Sequence, residues 1–153
     1  MSTALWEVYD YEVGMFSQMH RFLVTDECKK LPLPIRNAIV ESMLLHLRIL
    51  TDILLSRGLD DDDIHLKELL PGFHSPIIAQ LKTAYGNRKT VGSPCWEINK
   101  RLAHPTKVRS GSYDYNPVLH APGPLVSQLL DEITAARGTS GTLTVTDGTL
   151  PTV

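Results

Sequence analysis

"PIRNAIVESMLLHLRILTDILLSRG", residues 34–58, is the stretch whose reading decides the fold. Pro34 suits the first position of a helix: its φ is already helical, and its missing N–H would have had no partner there. Gly58 suits the position just past a helix end. Between them Ile35, Ala38, Ile39, Ser42, His46, Ile49, Leu50 and Ile53 recur on one face of an α-helix. The spacing predicts a long helix as far as Arg57.

Upstream, Leu5, Val8, Tyr9, Val13, Phe16, Met19 and Leu23 repeat at the same interval and predict a helix from Thr3 to Asp26. "KKLPLP", 29–34, separates the two, because Pro32 and Pro34 prevent continuation. Two long helices on so short a link must pack antiparallel.

Downstream the signals are shorter. Asp60 to Asp63 precede "IHLKELL" and suit the positive end of a short helix. The competing reading, a hard-metal site, lacks a regular Asp-x-Asp-x loop and a closing Glu. Ser75-Pro76 and Ser93-Pro94 are both N-cap and first-turn pairs. The first opens a helix that Gly86 ends, and the second a helix that Pro105 ends. The basic turn "GNRKTVG" lies between. Residues 105–121 read as a long loop, and a last helix is expected from Pro124 to Arg137. The fold class is all-α: an antiparallel helical bundle of two long and two to three shorter helices. The bundle is assigned to residues 1–137, with 138–153 a flexible Thr- and Gly-rich tail.

The chain has 153 residues and a formal net charge of −2, which argues against a general polyanion binder. The average hides an asymmetry. Residues 71–110 hold 7 Lys and Arg against Glu97 alone, whereas residues 1–70 hold 7 against 12 acids. The basic segment reads as solvated helix and loop or as a phosphate-facing surface. Cys28 and Cys95 form neither a disulfide framework nor a zinc pattern. The first twenty residues carry Glu7, Asp10 and Glu12 without Lys or Arg, unlike a signal peptide, and no apolar run is long enough for a membrane span. A cytoplasmic protein is expected. Phosphate-loop, GxSxG, HExxH and CxxC motifs are absent, so no cofactor and no metal are expected.

Two sets of polar residues stand out. Glu12 and His46 fall on the apolar faces of the long helices and form a candidate polar core, with His20 near them. An inward carboxylate needs a partner, which His46 or Arg101 can supply. The second set is in "INKRLAHPT", residues 98–106. On a helical wheel Cys95, Ile98, Asn99 and Leu102 share one face, and Glu97, Arg101 and His104 the other. Arg101 beside His104 places a permanent cation next to a group that titrates near neutrality. That pair can bind a phosphodiester and move a proton, or simply complement a helix dipole. The inward Asn99 is expected to bond to loop backbone.

"NKRLAH" on a late helix of an all-α bundle resembles the HEPN superfamily, small helical bundles of prokaryotic toxins, abortive-infection proteins and nucleotidyltransferase partners. "NAIVESMLLHLRILTDIL" is similar to uncharacterised bacterial members. Active members resemble one another in "RNxxxAH" and are metal-independent ribonucleases that pair two motifs across a homodimer cleft. Asn99 and His104 align with that motif, but Ile98 stands where its Arg belongs. The resemblance, spanning residues 1–137, implies a homodimer and a non-catalytic module that binds RNA or a protein partner in a defence or toxin–antitoxin setting. The binding face would comprise Glu97, Asn99, Lys100, Arg101 and His104, with Lys107, Arg109, Tyr113 and Tyr115 from the following loop. The alternative is a ribonuclease using His104 as acid or base, with Arg101, Arg36 or Arg48 replacing the absent Arg. A third reading is a purely structural oligomerisation module.

Overall fold

The computed structural model describes residues 3–57, 62–103 and 114–138, and every regular element among them is helical. In chain order these are α1 (Thr3–Leu23), α2 (Asp26–Lys30), α3 (Leu33–Leu54), α4 (Leu66–Leu69), α5 (Pro76–Tyr85), α6 (Pro94–Ile98), a π-helical segment (Asn99–Ala103), α7 (Asn116–His120) and α8 (Gly123–Gly138). The chain is an all-α bundle around the long α1–α3 hairpin. Glu12 meets His46 while Leu23 and Leu33 flank one cavity, so the two helices run antiparallel. α5 packs on α8, and α6 packs on α3 and α7.

The ends of these elements follow local chemistry. α1 stops before Thr25, whose hydroxyl donates to Phe22 O (2.7 Å) and accepts from Cys28 N (3.2 Å). Thr25 is thus the N-cap of α2, which divides the helix expected to reach Asp26. Ser75 and Ser93 cap α5 and α6 by accepting from Ile77 N and Trp96 N. α4 is capped at His65, whose backbone N–H donates to Glu68 Oε2 (3.0 Å), two residues beyond the acidic run. α7 occupies residues 116–120, within the stretch read as loop. Asp114 Oδ1 accepts from Asn116 N (2.9 Å) just ahead of Pro117.

α3 ends at Leu54 rather than Arg57. Ser56 takes a left-handed φ of 50°, and Ser56 N and Arg57 N donate back to Ile53 O and Asp52 O. This is a Schellman turn with serine where glycine is usual. Gly58, Asp60 and Asp61, Pro105, and the tail from residue 139 onward lie outside the described residues.

The face α3 buries differs from the expected one. Met43, Leu44, Leu47, Leu50, Thr51, Ile53 and Leu54 are the buried set, so Leu50 and Ile53 of the expected face are inside, whereas Ile35 and Ile49 are large exposed hydrophobics. The helix carries two neighbouring apolar stripes, and periodicity alone does not rank them. Packing against Tyr9 and Phe16 of α1, Leu81 and Tyr85 of α5, and Leu129 and Ile133 of α8 selects the stripe through Leu47. Thr51 stays on it because its hydroxyl donates to Leu47 O. At the open end of the hairpin Arg137 of α8 grips Asp10 with both terminal nitrogens (2.6 and 3.0 Å) and lies 4.1 Å over the Trp6 ring.

This choice of stripe has a measurable consequence. Leu47→Ala should cost about 2–5 kcal/mol in urea unfolding, and Ile49→Ala within about 0.5 kcal/mol of zero. Equal losses would mean that the buried face is wrongly assigned.

Candidate functional site

The carboxylate of Glu12 is buried, and of its two candidate partners the fold supplies His46. His46 Nδ1 lies 2.6 Å from Glu12 Oε2, and the exposed Tyr11 ring stands edge-on to the imidazole. The pair bridges α1 and α3. His20 is exposed and stacks on Phe16, one turn beyond it.

The motif helix changes winding at its functional end. α6 is regular from Pro94 to Ile98, and Asn99–Ala103 continue with i→i+5 hydrogen bonds. The wider winding re-aims Arg101 from Asn99 onward, whereas Glu97, expected to face outward with it, is already buried within the regular part. Cys95, Glu97, Ile98 and Asn99 are all buried. The Glu97–Arg101 pair does form, Arg101 Nε donating to Glu97 Oε2 at 2.5 Å, but it is largely enclosed. Asn99 is inward as expected. However, its Oδ1 is buried without a hydrogen-bond partner instead of accepting from loop backbone. Lys100 is half-buried.

Ile98, the position of the absent Arg, is completely buried in the core. A guanidinium there would have to be desolvated among apolar side chains.

Arg101 reaches a cavity of about 910 Å³. Its walls come from the last turns of α1, the first half of α3, the π-helical segment, α7 and the start of α8. The polar groups on it include His20, Asn37, Glu41, Arg101, Tyr115 and His120, with Phe16 beside His20. Of the expected site residues among those described, Arg101 and Tyr115 line this cavity. Glu97 stands behind Arg101, and Glu12 and His46 lie one helical turn further along the α1–α3 seam. His104, Lys107, Arg109 and Tyr113 lie outside the described residues. Of the substitutes for the missing Arg, Arg48 is turned to Asp52, with Arg48 Nε 3.8 Å from Asp52 Oδ2, and Arg36 is not on the cavity wall. His20 is expected beside the polar core and not on this wall, and neither Glu41 nor His120 is expected at a site. The three stand on three different helices, and only tertiary packing brings them together.

A second polar cluster lies at the other end of α3. Arg88 Nη2 is 3.6 Å from Asp52 Oδ2, the oxygen that Arg48 approaches, and Arg57 Nη1 is 3.9 Å from Cys95 Sγ. Burial pushes the Cys95 thiol up, so it is a poor nucleophile. Among the described residues no group of three or more His, Cys, Asp or Glu side chains has a metal-binding arrangement, and no helix is long and apolar enough to cross a membrane. Comparison with protein-family models, curated proteins and solved structures finds nothing that matches this chain.

Burial also raises the Asp52 carboxyl above its ordinary value. Arg88, Arg48 and Arg57 pull it down by less, and Asp63 pushes it further up. The folded protein therefore holds this proton more tightly than the unfolded chain does. The contribution to stability is largest below the ordinary carboxyl pKa and is lost as pH rises through the raised value. Asp52→Asn, which mimics the neutral form, should equal or exceed the parent in stability at neutral pH. That advantage should close toward about pH 4 when urea unfolding is followed at both values. A variant that is weaker at neutral pH would mean that the ionised carboxylate is a net stabiliser.

Proposed function

We propose that the chain is a non-catalytic, HEPN-like helical module of the cytoplasm that binds single-stranded RNA in a prokaryotic defence or toxin–antitoxin setting. One observation carries this reading: Arg101, held by the buried Glu97, lies on the wall of a cavity of about 910 Å³ that also presents Tyr115 and Phe16. Single-stranded RNA is recognised by splayed bases that stack on aromatic side chains or guanidinium planes and are hydrogen-bonded along their edges. The cavity offers each element: aromatic rings, a guanidinium whose orientation is fixed, the amides of Asn37 and Asn116, and the carboxylate of Glu41 as an acceptor for base N–H groups. The burial of Ile98 supports binding over catalysis, because the position of the family's Arg is used for core packing.

A ribonuclease is the second reading, favoured by His20 and His120 on the same cavity as Arg101. Two imidazoles and a guanidinium are sufficient groups for metal-independent acid–base cleavage. The homodimer that accompanies the family resemblance is supported by the exposed apolar side chains Val8 and Tyr11 on α1 and Leu45 and Ile49 on α3.

Fluorescence anisotropy with a labelled single-stranded RNA tests the binding reading. The parent should bind, and Tyr115→Ala and Arg101→Gln should each weaken binding by roughly tenfold, the cost of about 1.4 kcal/mol for one stacking or charge-assisted contact. RNA incubated with the protein and EDTA should remain intact. Binding that ignores both substitutions would exclude the cavity as the site. EDTA-resistant cleavage that is lost in His20→Ala or His120→Ala would replace the module with the nuclease.

A further inference from the structure

At the C-terminal end of α3, three guanidinium groups gather around Asp52, with the Asp63 carboxylate near enough to push the Asp52 carboxyl up. Asp52 is ~16 Å along the helix from Glu41 of the cavity, so this is a separate place. Each arginine is delivered by a defined piece of backbone. Arg48 stands one turn before Asp52 on α3. Arg57 follows the Schellman turn at Ser56. Arg88 sits on the turn that joins α5 to α6. That turn begins at Gly86 with a φ of 72°, where an added Cβ would lie 2.5 Å from that of Ser93. Asn87 Oδ1 accepts from Lys89 N and Thr90 N, and Ser93 Oγ donates to Asn87 O. The turn is therefore internally tied and presents Arg88 in a fixed place.

The arginines are poorly matched by what they face. Arg88 Nη2 and Arg48 Nε approach the same Asp52 oxygen at 3.6 and 3.8 Å, beyond hydrogen-bond distance. Arg57 makes a 3.9 Å contact with Cys95 Sγ and lies 5.6 Å over the Tyr85 ring. Each guanidinium carries five N–H donors in a planar fork. Beside them the Tyr85 hydroxyl is fully buried and has no hydrogen-bond partner. Its electrostatic neighbours are Cys95, Asp52, Arg48 and Arg57, and burial keeps the phenol protonated, so it remains a donor. An orphaned buried hydroxyl next to under-used guanidiniums is a set of donors without an acceptor.

We propose that Arg48, Arg57 and Arg88, with the Tyr85 hydroxyl, form a binding site for a phosphoryl group. Its three or more acceptor oxygens match forked donors, and its charge offsets the excess of the three arginines over the Asp52 and Asp63 carboxylates. The proposal does not rest on RNA occupying the cavity. The phosphoryl group comes either from a small phosphorylated molecule or from the 5′ end of an oligonucleotide, since both offer the same oxygens.

Isothermal titration of the full chain with inorganic pyrophosphate, and with one short RNA bearing either a 5′-phosphate or a 5′-hydroxyl, tests the site. Pyrophosphate, or the 5′-phosphorylated RNA in preference to its hydroxyl twin, should bind at millimolar concentration or below. Arg88→Ala, on an exposed side chain, should weaken that binding roughly tenfold or more. Asp52→Asn should strengthen it by removing the competing acceptor, and Arg21→Ala on exposed α1 surface should leave it unchanged. Arg101→Gln should leave pyrophosphate binding and the preference for the 5′-phosphate unchanged even where it lowers RNA affinity, which separates failure here from failure of the RNA reading. Tyr85→Phe keeps the packing and should weaken binding. If it only raises stability, the hydroxyl is an orphan without a ligand role. No heat with pyrophosphate and no preference for the 5′-phosphate, or equal binding by the parent and Arg88→Ala, would overturn the site and leave a water-bridged ion-pair network.

Discussion

A carboxylate enclosed in a helical hairpin has to be paired, and Glu12 meets that requirement through His46. The contact sets the register of α1 on α3. A slide of one residue on either helix turns a side chain by about 100° and leaves a charge facing apolar surface. With the register held, Tyr9 and Phe16 fall against the Met43–Leu47 stripe of α3, and Ile49 is left outside. The pairing also releases Arg101. Had Arg101 been the partner of Glu12, the motif helix would have been drawn into the seam. Arg101 instead satisfies Glu97 and lies on the cavity wall.

The winding of the motif helix follows from a similar demand. Glu97 is buried and Asn99 is buried two residues later, while Arg101 has to reach both Glu97 and the cavity. At 100° per residue Glu97 and Asn99 are on nearly opposite sides of a helix. The π-helical segment that begins at Asn99 changes the angle from that point onward. Such segments are rare, and they recur at functional sites because they re-aim side chains without breaking the helix. Here the side chain re-aimed is Arg101. At the start of that segment the buried Asn99 Oδ1 has no hydrogen-bond partner.

The sequence made the elements legible more fully than their faces. Ser75-Pro76 and Ser93-Pro94 announced α5 and α6, since an N-cap hydroxyl followed by proline is a local signal that needs no tertiary context. Thr25, followed by Asp26 and Glu27, is the same kind of signal, hidden because apolar spacing continued across it. Asp114 and Pro117 mark the start of α7, but at five residues the helix is too short to show an apolar repeat. The buried face of α3 was legible only in part, at Leu50 and Ile53, because a helix with two apolar stripes leaves the choice to its neighbours. The need of Glu12 for a partner was legible from chemistry alone. The cavity was not, because His20, Glu41, Arg101 and His120 come from four separate elements and share no periodicity.

The basic segment at residues 71–110 does not act as one field. Among the described residues its two arginines go to different carboxylates: Arg88 to Asp52 of α3 and Arg101 to Glu97 of α6. Each is set against a carboxylate, and the chain as a whole carries a formal charge of −2. At physiological salt, charges are screened from one another within about a Debye length of 8 Å. Long-range steering of a polyanion is therefore weak, and phosphate neutralisation alone supplies little affinity. Recognition has to come from short-range complementarity: a fixed guanidinium beside aromatic rings in the cavity, and forked donors around Asp52. A protein built in this way selects a small feature of its ligand, such as a splayed base or a terminal phosphoryl group, in preference to the length of a charged backbone.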